Sequence, residues 1–207
     1  MDGEVKSDRF SPDALSDDEQ ARGLILACRS RPLTDVTVKW LSSVETSPMV
    51  KIDARVAAVD RVSHDVVVLS VSLRGDQKFN FRAGQFAKLR FGKLPARSYS
   101  MASQPGQSEL VFHLRIVPDG RVSQHVAHEL RPGAPIEVRG PFGEAFWEAA
   151  KAEGSNPLLM LAGGTGMAPI LSVLDAALRD GQDPRAIHVY HGVRTEDDLY
   201  AGEQLER

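Results

Sequence analysis

The chain has 207 residues, 42% of them apolar, and a formal net charge of −3. That is enough apolar material for one or two packed domains. Charges of both signs are interspersed with no basic block, which argues against a nucleic-acid partner. The single cysteine, Cys28, excludes an intrachain disulfide and fits the reducing cytoplasm.

Residues 1–40 are polar and turn-rich, and the opening MDGEVKSDRF lacks the apolar stretch of a signal peptide. Ser16 is placed to cap a short acidic helical turn. The apolar pieces around Leu24–Ala27 and Val36–Val38 are too small for an independent core, so the segment reads as the end of a larger domain. Cys28 lies here with two readings open: a small buried hydrophobe or a functional thiolate.

Residues 50–141 read as β-rich. KIDARVAAVD, DVVVLSVSL, QFAKLRF, ELVFHLRIV and PIEVRG are short apolar or alternating runs broken by Gly, Pro, Asp and Asn. Strands at this spacing predict a closed antiparallel barrel. One helix interrupts them, VSQHVAHEL, for which Ser123 is a candidate N-cap. The first-turn N–H groups of that helix could equally hold a phosphate. Within ARSYSMAS, an extended segment places Arg97 and Tyr99 on one face and Ser98 and Ser100 on the other. A guanidinium suits a phosphate and a phenol ring suits a planar heterocycle, although a plain edge strand has the same pattern. GPFGEAF reads as a Gly-Pro turn after the last barrel strand.

After residue 156 the period changes. PLLMLA predicts a buried strand, APILSVLDAALRD a helix, AIHVYHGV a second strand and TEDDLYAGEQLER a second helix. This is a β-α-β unit of a parallel sheet, and with only two strands the domain is expected to be incomplete. No residue from Gly154 to Leu174 is charged, a length that approaches a membrane span. Gly163, Gly164, Thr165 and Gly166, followed by Pro169, instead place a loop at its centre. Against the dinucleotide pattern G-x-G-x-x-G, Gly164 and Gly166 match and Pro169 replaces the third glycine. Both a phosphate-binding turn and a structural turn fit. The second strand ends in Gly192-Val193-Arg194. An arginine there could serve a 2′-phosphate, leaving the choice between NAD and NADP open. The histidines, His113 among them, show no metal-ligand spacing.

The order of these stretches is specific. Arg97-Ser98-Tyr99-Ser100 is followed by Gly120-Arg121-Val122-Ser123 and Gly140-Pro141-Phe142-Gly143. Gly163-Gly164-Thr165-Gly166 with Ala168-Pro169 comes next, then Gly192-Val193-Arg194 with Asp198-Leu199-Tyr200. Over about residues 50–207 the chain resembles the ferredoxin–NADP reductase superfamily. ARSYSMA, FHLRIVPDGRVS and HGVRTEDDLY are most similar to reductase components of bacterial aromatic ring-hydroxylating dioxygenases, of the naphthalene dioxygenase reductase type.

The resemblance implies three parts. Residues 1–40 would be the C-terminal part of a 2Fe–2S ferredoxin-like domain. Residues 50–147 would be an antiparallel Greek-key FAD-binding barrel, and 156–207 an incomplete doubly wound NAD(P)-binding domain. It implies electron transfer from NADH, with NADPH not excluded, through FAD to a ferredoxin or an oxygenase component. No nucleic acid or membrane partner is implied. By the same resemblance Arg97 holds the FAD pyrophosphate with Ser98 beside it, Tyr99 stacks on the isoalloxazine and Ser100 sits near its reactive nitrogen. Tyr99 and Ser100 are thus the residues nearest the chemistry. His113, Leu114 and Arg115 run beside the FAD, and Gly120, Val122 and Ser123 meet its phosphates. Gly163, Gly164, Thr165, Gly166 and Pro169 cradle the nicotinamide cofactor, whose adenosine half Gly192 and Arg194 flank. Cys28 corresponds to the fourth ligand of a 2Fe–2S cluster that only a longer form would hold. The rival expectations are a flavin- and nucleotide-binding fragment without turnover, or another reductase of the superfamily.

Overall fold

A computed structural model describes residues 3–11, 14–39, 47–75, 77–148, 157–180 and 186–206. The chain divides into two units, Met1–Val44 and Glu45–Arg207.

In the first unit β1 (Val5–Ser7) pairs antiparallel with β2 (Ser30–Pro32), Val5 opposite Pro32. Between them lies α1 (Asp17–Ala21). Ser16 caps it as the sequence predicts: its hydroxyl accepts from the Glu19 N–H, and the Glu19 carboxylate accepts from the Ser16 N–H at 2.9 Å. This reciprocal box satisfies two donors the helix leaves open. Cys28 sits in a one-turn 3-10 helix, Ala27–Arg29, with its thiol exposed. The buried-hydrophobe reading of Cys28 is therefore removed.

The second unit begins with six antiparallel strands: β3 (Val50–Arg61), β4 (Val66–Ser72), β5 (Phe86–Arg90), β6 (Arg97–Ser100), β7 (Glu109–Arg115) and β8 (Pro135–Phe142). They lie in the order β6-β5-β8-β3-β4-β7. The connection from β7 at one edge to β8 in the middle makes the Greek-key crossing. Met101 bridges Phe112, and the Ala102 N–H donates to the Val111 carbonyl at 2.7 Å, so the two edges meet and the barrel closes as expected.

Alternation builds the core. Ile52, Ala54 and Val56 point inward from β3, and Leu110, Phe112 and Leu114 from β7. Phe79, Phe91 and Met101 fill the centre, and α2 (Arg121–His128) adds Val122 and Val126 from one face. The Gly140-Pro141 turn expected after the last strand is instead part of β8, where Phe142 pairs with Phe86 and stacks on it at 5.5 Å. Pro141 lies where the β5 register shifts and just past the pairing with β3, so its missing N–H breaks no ladder bond.

The remainder is the predicted β-α-β unit. β9 (Leu158–Gly163) leads through a 3-10 turn, Gly164–Gly166, into α3 (Met167–Asp180), and β10 (Ile187–Gly192) lies parallel to β9. The uncharged run is thus a strand, a turn and a helix. Among the described residues no helix is long and apolar enough to cross a membrane. β9 departs from expectation in being buried on one face only. Met160 and Ala162 are covered, whereas Leu159 and Leu161 are 57% and 66% exposed. The expected second helix is also broken. Thr195 and Asp198 close a capping box around Glu196–Asp198, Leu199 is extended, and α4 (Gly202–Leu205) is a single turn. Burial of Tyr200 and Ala201 against Met167 and Leu171 outweighs continued helix there.

One buried bond ties α3 to the barrel: the Ser172 hydroxyl donates to the Ser103 carbonyl at 2.7 Å. Leu69 is fully buried at the barrel centre. Leu69→Ala should therefore cost about 2–5 kcal/mol. Urea unfolding that shows a loss under about 1 kcal/mol would contradict this core assignment.

Candidate functional site

The site begins on the β6 edge. Pairing of Ser98 with Lys88 and of Ser100 with Phe86 fixes the strand, so Arg97 and Tyr99 alternate with the serines as predicted. The Arg97 guanidinium is exposed, and its one hydrogen bond among the described residues is to the adjacent Ala96 carbonyl at 3.2 Å. Tyr99 packs part of its ring on the core. Burial raises its pKa and the Arg97 charge opposes that rise, so Tyr99 is a neutral phenol at ordinary pH.

The second element is the start of α2. Gly120 is its N-cap, and Ser123, the residue expected there, is at the third helical position. Its hydroxyl accepts from the Val117 N–H at 3.0 Å and donates to the Gly120 carbonyl at 3.0 Å. A Cβ at position 120 would lie 2.5 Å from that oxygen, which is why the position requires glycine. The N–H groups of Arg121, Val122 and Ser123 have no acceptor within the helix, while the Val122 side chain is buried in the core. On β7 Leu114 points into the barrel core, and the neighbouring His113 is buried on the opposite face.

The third element is the turn after β9. Gly164 has φ +50, a left-handed conformation that glycine adopts without strain. A Cβ added at Gly163, Gly164 or Gly166 would meet nothing within 4 Å, so bare backbone faces open space. Pro169 lies in the first turn of α3, where no N–H is needed. Its departure from the glycine pattern therefore does not disturb the helix.

A cavity of about 280 Å³ joins several of these groups: Arg115, Gly164, Thr165, Gly192 and Arg194 all line it. Its wall includes Asp65, which no sequence pattern marked. Asp65 accepts from Arg115 Nε at 2.9 Å and from Arg194 Nη2 at 3.2 Å. Nearby, His64 Nδ1 lies 3.1 Å from Asp198 Oδ1, and Thr195 donates to Asp198 Oδ2 from both N and Oγ1 at 3.1 Å. His64, Asp65 and Asp198 are close enough together to suggest a cation, but the two guanidinium groups already supply positive charge there. A larger hollow of about 680 Å³ between Ser103, α3 and α4 shares only His113 with the sequence-predicted residues.

The partners of His113 are the second feature hidden from sequence. It is buried, with Nδ1 2.9 Å from the Tyr200 hydroxyl. That hydroxyl is 3.4 Å from the Gly164 carbonyl, which also lies 3.0 Å from His191 Nε2. Both histidine rings meet the Tyr200 ring edge-on, at 5.3 and 5.5 Å. Burial, then the nearby His191, lowers the His113 pKa to about 4. Burial likewise pushes the Tyr200 phenol up.

Residues 53–147 match the oxidoreductase FAD-binding domain family and residues 160–207 the oxidoreductase NAD-binding domain family. The ferredoxin–NAD(P)+ reductase component of the naphthalene 1,2-dioxygenase system of Pseudomonas putida is 39% identical over 88% of this chain. The chain belongs to the ferredoxin–NADP reductase superfamily. It spans 55% of the length of that relative. The crystal structure of an Amycolatopsis cytochrome P450 reductase is similar over 100% of this chain and 62% of its own, with a TM-score of 0.74 and 31% identity. The ferredoxin reductase of carbazole 1,9a-dioxygenase is similar over 100% of this chain and 61% of its own, with a TM-score of 0.69 and 26% identity.

The residues present fit both cofactors of these domain families. A lightly bonded guanidinium beside a half-open phenol ring suits a flavin dinucleotide. An uncovered glycine turn at the start of a helix suits a second pyrophosphate.

The low His113 pKa has a consequence for folding. The unfolded chain takes up a proton near pH 6.5 and the native chain does not, so stability present above that pH is lost as it falls towards 4. The loss amounts to about 3 kcal/mol. Unfolding at pH 7 and pH 4.5 should show a smaller pH dependence for His113→Leu than for the parent; equal dependence would contradict the assignment.

Proposed function

We propose that this chain is the flavin- and nicotinamide-binding portion of an electron-transfer reductase. It takes a hydride from NADH onto FAD and passes electrons to a ferredoxin or an oxygenase component. The observation that carries this reading is that the β6 edge, with its exposed guanidinium and half-buried ring, and the open glycine turn belong to one bonded unit. When bound, FAD supplies the conversion of an electron pair into single electrons. The chain's own residues bind and orient.

In this reading Arg97 holds the flavin pyrophosphate, with Ser98 beside it. Tyr99 stacks on the ring system, and Ser100 hydrogen-bonds near its reactive nitrogen. His113, Leu114 and Arg115 form the strand beside the flavin. Gly120 opens the α2 terminus, whose Val122 and Ser123 N–H groups meet phosphate. Gly163, Gly164, Thr165, Gly166 and Pro169 form the second phosphate cradle, and Gly192 and Arg194 flank the adenosine half. The hold of Asp65 on Arg194 supports NADH over NADPH, because a carboxylate already occupies the guanidinium a 2′-phosphate would need.

The boundaries 50–147 for the flavin domain and 156–207 for the nucleotide domain are part of the proposal, as is an iron–sulfur origin for residues 1–40. Cys28 is read as a cluster ligand. Its exposed thiol suits that role, and a 2Fe–2S cluster needs four ligands. The partner class follows from relatives whose names place them with dioxygenase and cytochrome P450 systems. A chain without any cysteine pair suits the cytoplasm.

The purified chain, reconstituted with FAD, should show flavin absorbance that bleaches on anaerobic mixing with NADH. Arg97→Ala and Tyr99→Ala should each weaken FAD binding by about 10–100-fold, the loss of one charge-assisted pair or one stacked ring. No bound flavin in the parent chain, or full flavin content in both variants, would sink the proposal. With one cysteine the chain should carry no stoichiometric iron or sulfide, which a metal assay checks; stoichiometric iron would overturn the reading of Cys28.

A further inference from the structure

We infer that Tyr200, held by His113, is a positioning residue that fixes the Gly164 turn against the flavin barrel and thereby sets the separation of nicotinamide and flavin. This rests on the proposal that the turn binds the nicotinamide cofactor's phosphates.

The turn's own backbone bonds, from the Met167 N–H to the Gly164 and Thr165 carbonyls, tie it to α3 and not to the barrel. Three of its four residues are glycine, Gly164 is left-handed, and no side chain lies within 4 Å of where their Cβ atoms would be. Its position against the barrel must come from groups that reach it. Among the described residues two side chains do so through one atom, the Gly164 carbonyl oxygen: Tyr200 Oη at 3.4 Å and His191 Nε2 at 3.0 Å. His191 lies on β10 and can align the turn only with its own sheet. Tyr200 also bonds His113 Nδ1, 87 residues earlier on β7 of the barrel, at 2.9 Å.

The polarity of the chain of bonds follows from its end. A carbonyl only accepts, so the Tyr200 O–H donates to Gly164. The Tyr200 oxygen then accepts from the Nδ1–H of a neutral His113. The Tyr200 ring is anchored from three sides: by the β9–α3 cluster of Ala162, Met167 and Leu171, and by the edges of His113 and His191. A ring so enclosed transmits the position of the barrel strand to the turn. Tyr200 also lines the cavity that holds Gly164, Thr165 and Arg115, so the latch stands beside the proposed phosphate site.

Tyr200→Phe tests this in the FAD-reconstituted chain, since it removes the hydroxyl and keeps the ring. Flavin bleaching at saturating NADH should slow about tenfold, while the dissociation constant for NADH changes by less than about threefold. Amide exchange at Thr165–Met167 should quicken. His113→Leu should reproduce the slowing. His113→Asn, whose side-chain N–H can take the place of Nδ1–H, should restore most of the rate. Unchanged bleaching in Tyr200→Phe, a loss confined to NADH affinity, or a parent chain that binds NADH without bleaching would overturn the latch. If His113→Leu fails to fold, Tyr200→Phe alone decides. The reading of the turn itself fails separately, if the parent chain binds no NADH or if Gly166→Val leaves NADH binding intact.

Discussion

Hydride transfer is a contact reaction, so under the proposed function one constraint governs the rest: the barrel and the glycine turn must be held at one separation. Among the described residues four side-chain contacts cross that seam, and their magnitudes are unequal. Arg194 reaches Asp65 and His64 reaches Asp198 with side chains 67% and 61% exposed, and such pairs are worth about 0–1 kcal/mol. The Ser172–Ser103 and His113–Tyr200 bonds involve buried partners. Breaking one strands a polar group away from water, at about 1–3 kcal/mol. The neutral buried bonds therefore fix the seam, and the ion pairs trim it.

The barrel makes this economy of contacts possible. Its strands spend one face on the core and leave the other free, so a residue facing either way is placed without local adaptation. Tyr99 packs on the core while Ser98, its neighbour on the other face, stays exposed. β7 shows the same logic at its end. Leu114 enters the core, Arg115 turns out to Asp65, and His113 is buried towards Tyr200. Three neighbouring residues thus serve core, ion pair and seam.

What the sequence made legible follows from range. Strand alternation, the Ser16 cap and the β-α-β succession depend on residues a few positions apart, and these were read correctly. The glycine turn was legible for a related reason, because glycine marks a backbone that bends sharply. The partners of His113 and Asp65 were not legible, because they lie 87 and 129 positions away for Tyr200 and Arg194 and no local period encodes them. The broken second helix has the same origin. TEDDLYAGEQLER reads as helix locally, but burial of Tyr200 and Ala201 requires an extended Leu199. The open face of β9 escaped because an apolar run records hydrophobicity without recording which face a helix covers.

The charge at the seam bears on cofactor choice in a graded way. Asp65 holds both Arg115 and Arg194, so Arg194 is directed at a carboxylate before any nucleotide arrives. A 2′-phosphate would have to draw it away, leaving Asp65 with Arg115 as its remaining arginine partner. Because Arg194 is mostly exposed, that exchange costs about 1 kcal/mol or less. Such a difference shifts relative affinity by about fivefold at most. Under the proposed function Asp65 therefore biases this part of the site towards NADH without closing it to NADPH. The bias is also sensitive to salt, since exposed pairs are screened where the buried bonds beside them are not. Cofactor preference and seam geometry thus rest on different classes of interaction, one soft and one rigid, so the first can change without disturbing the second.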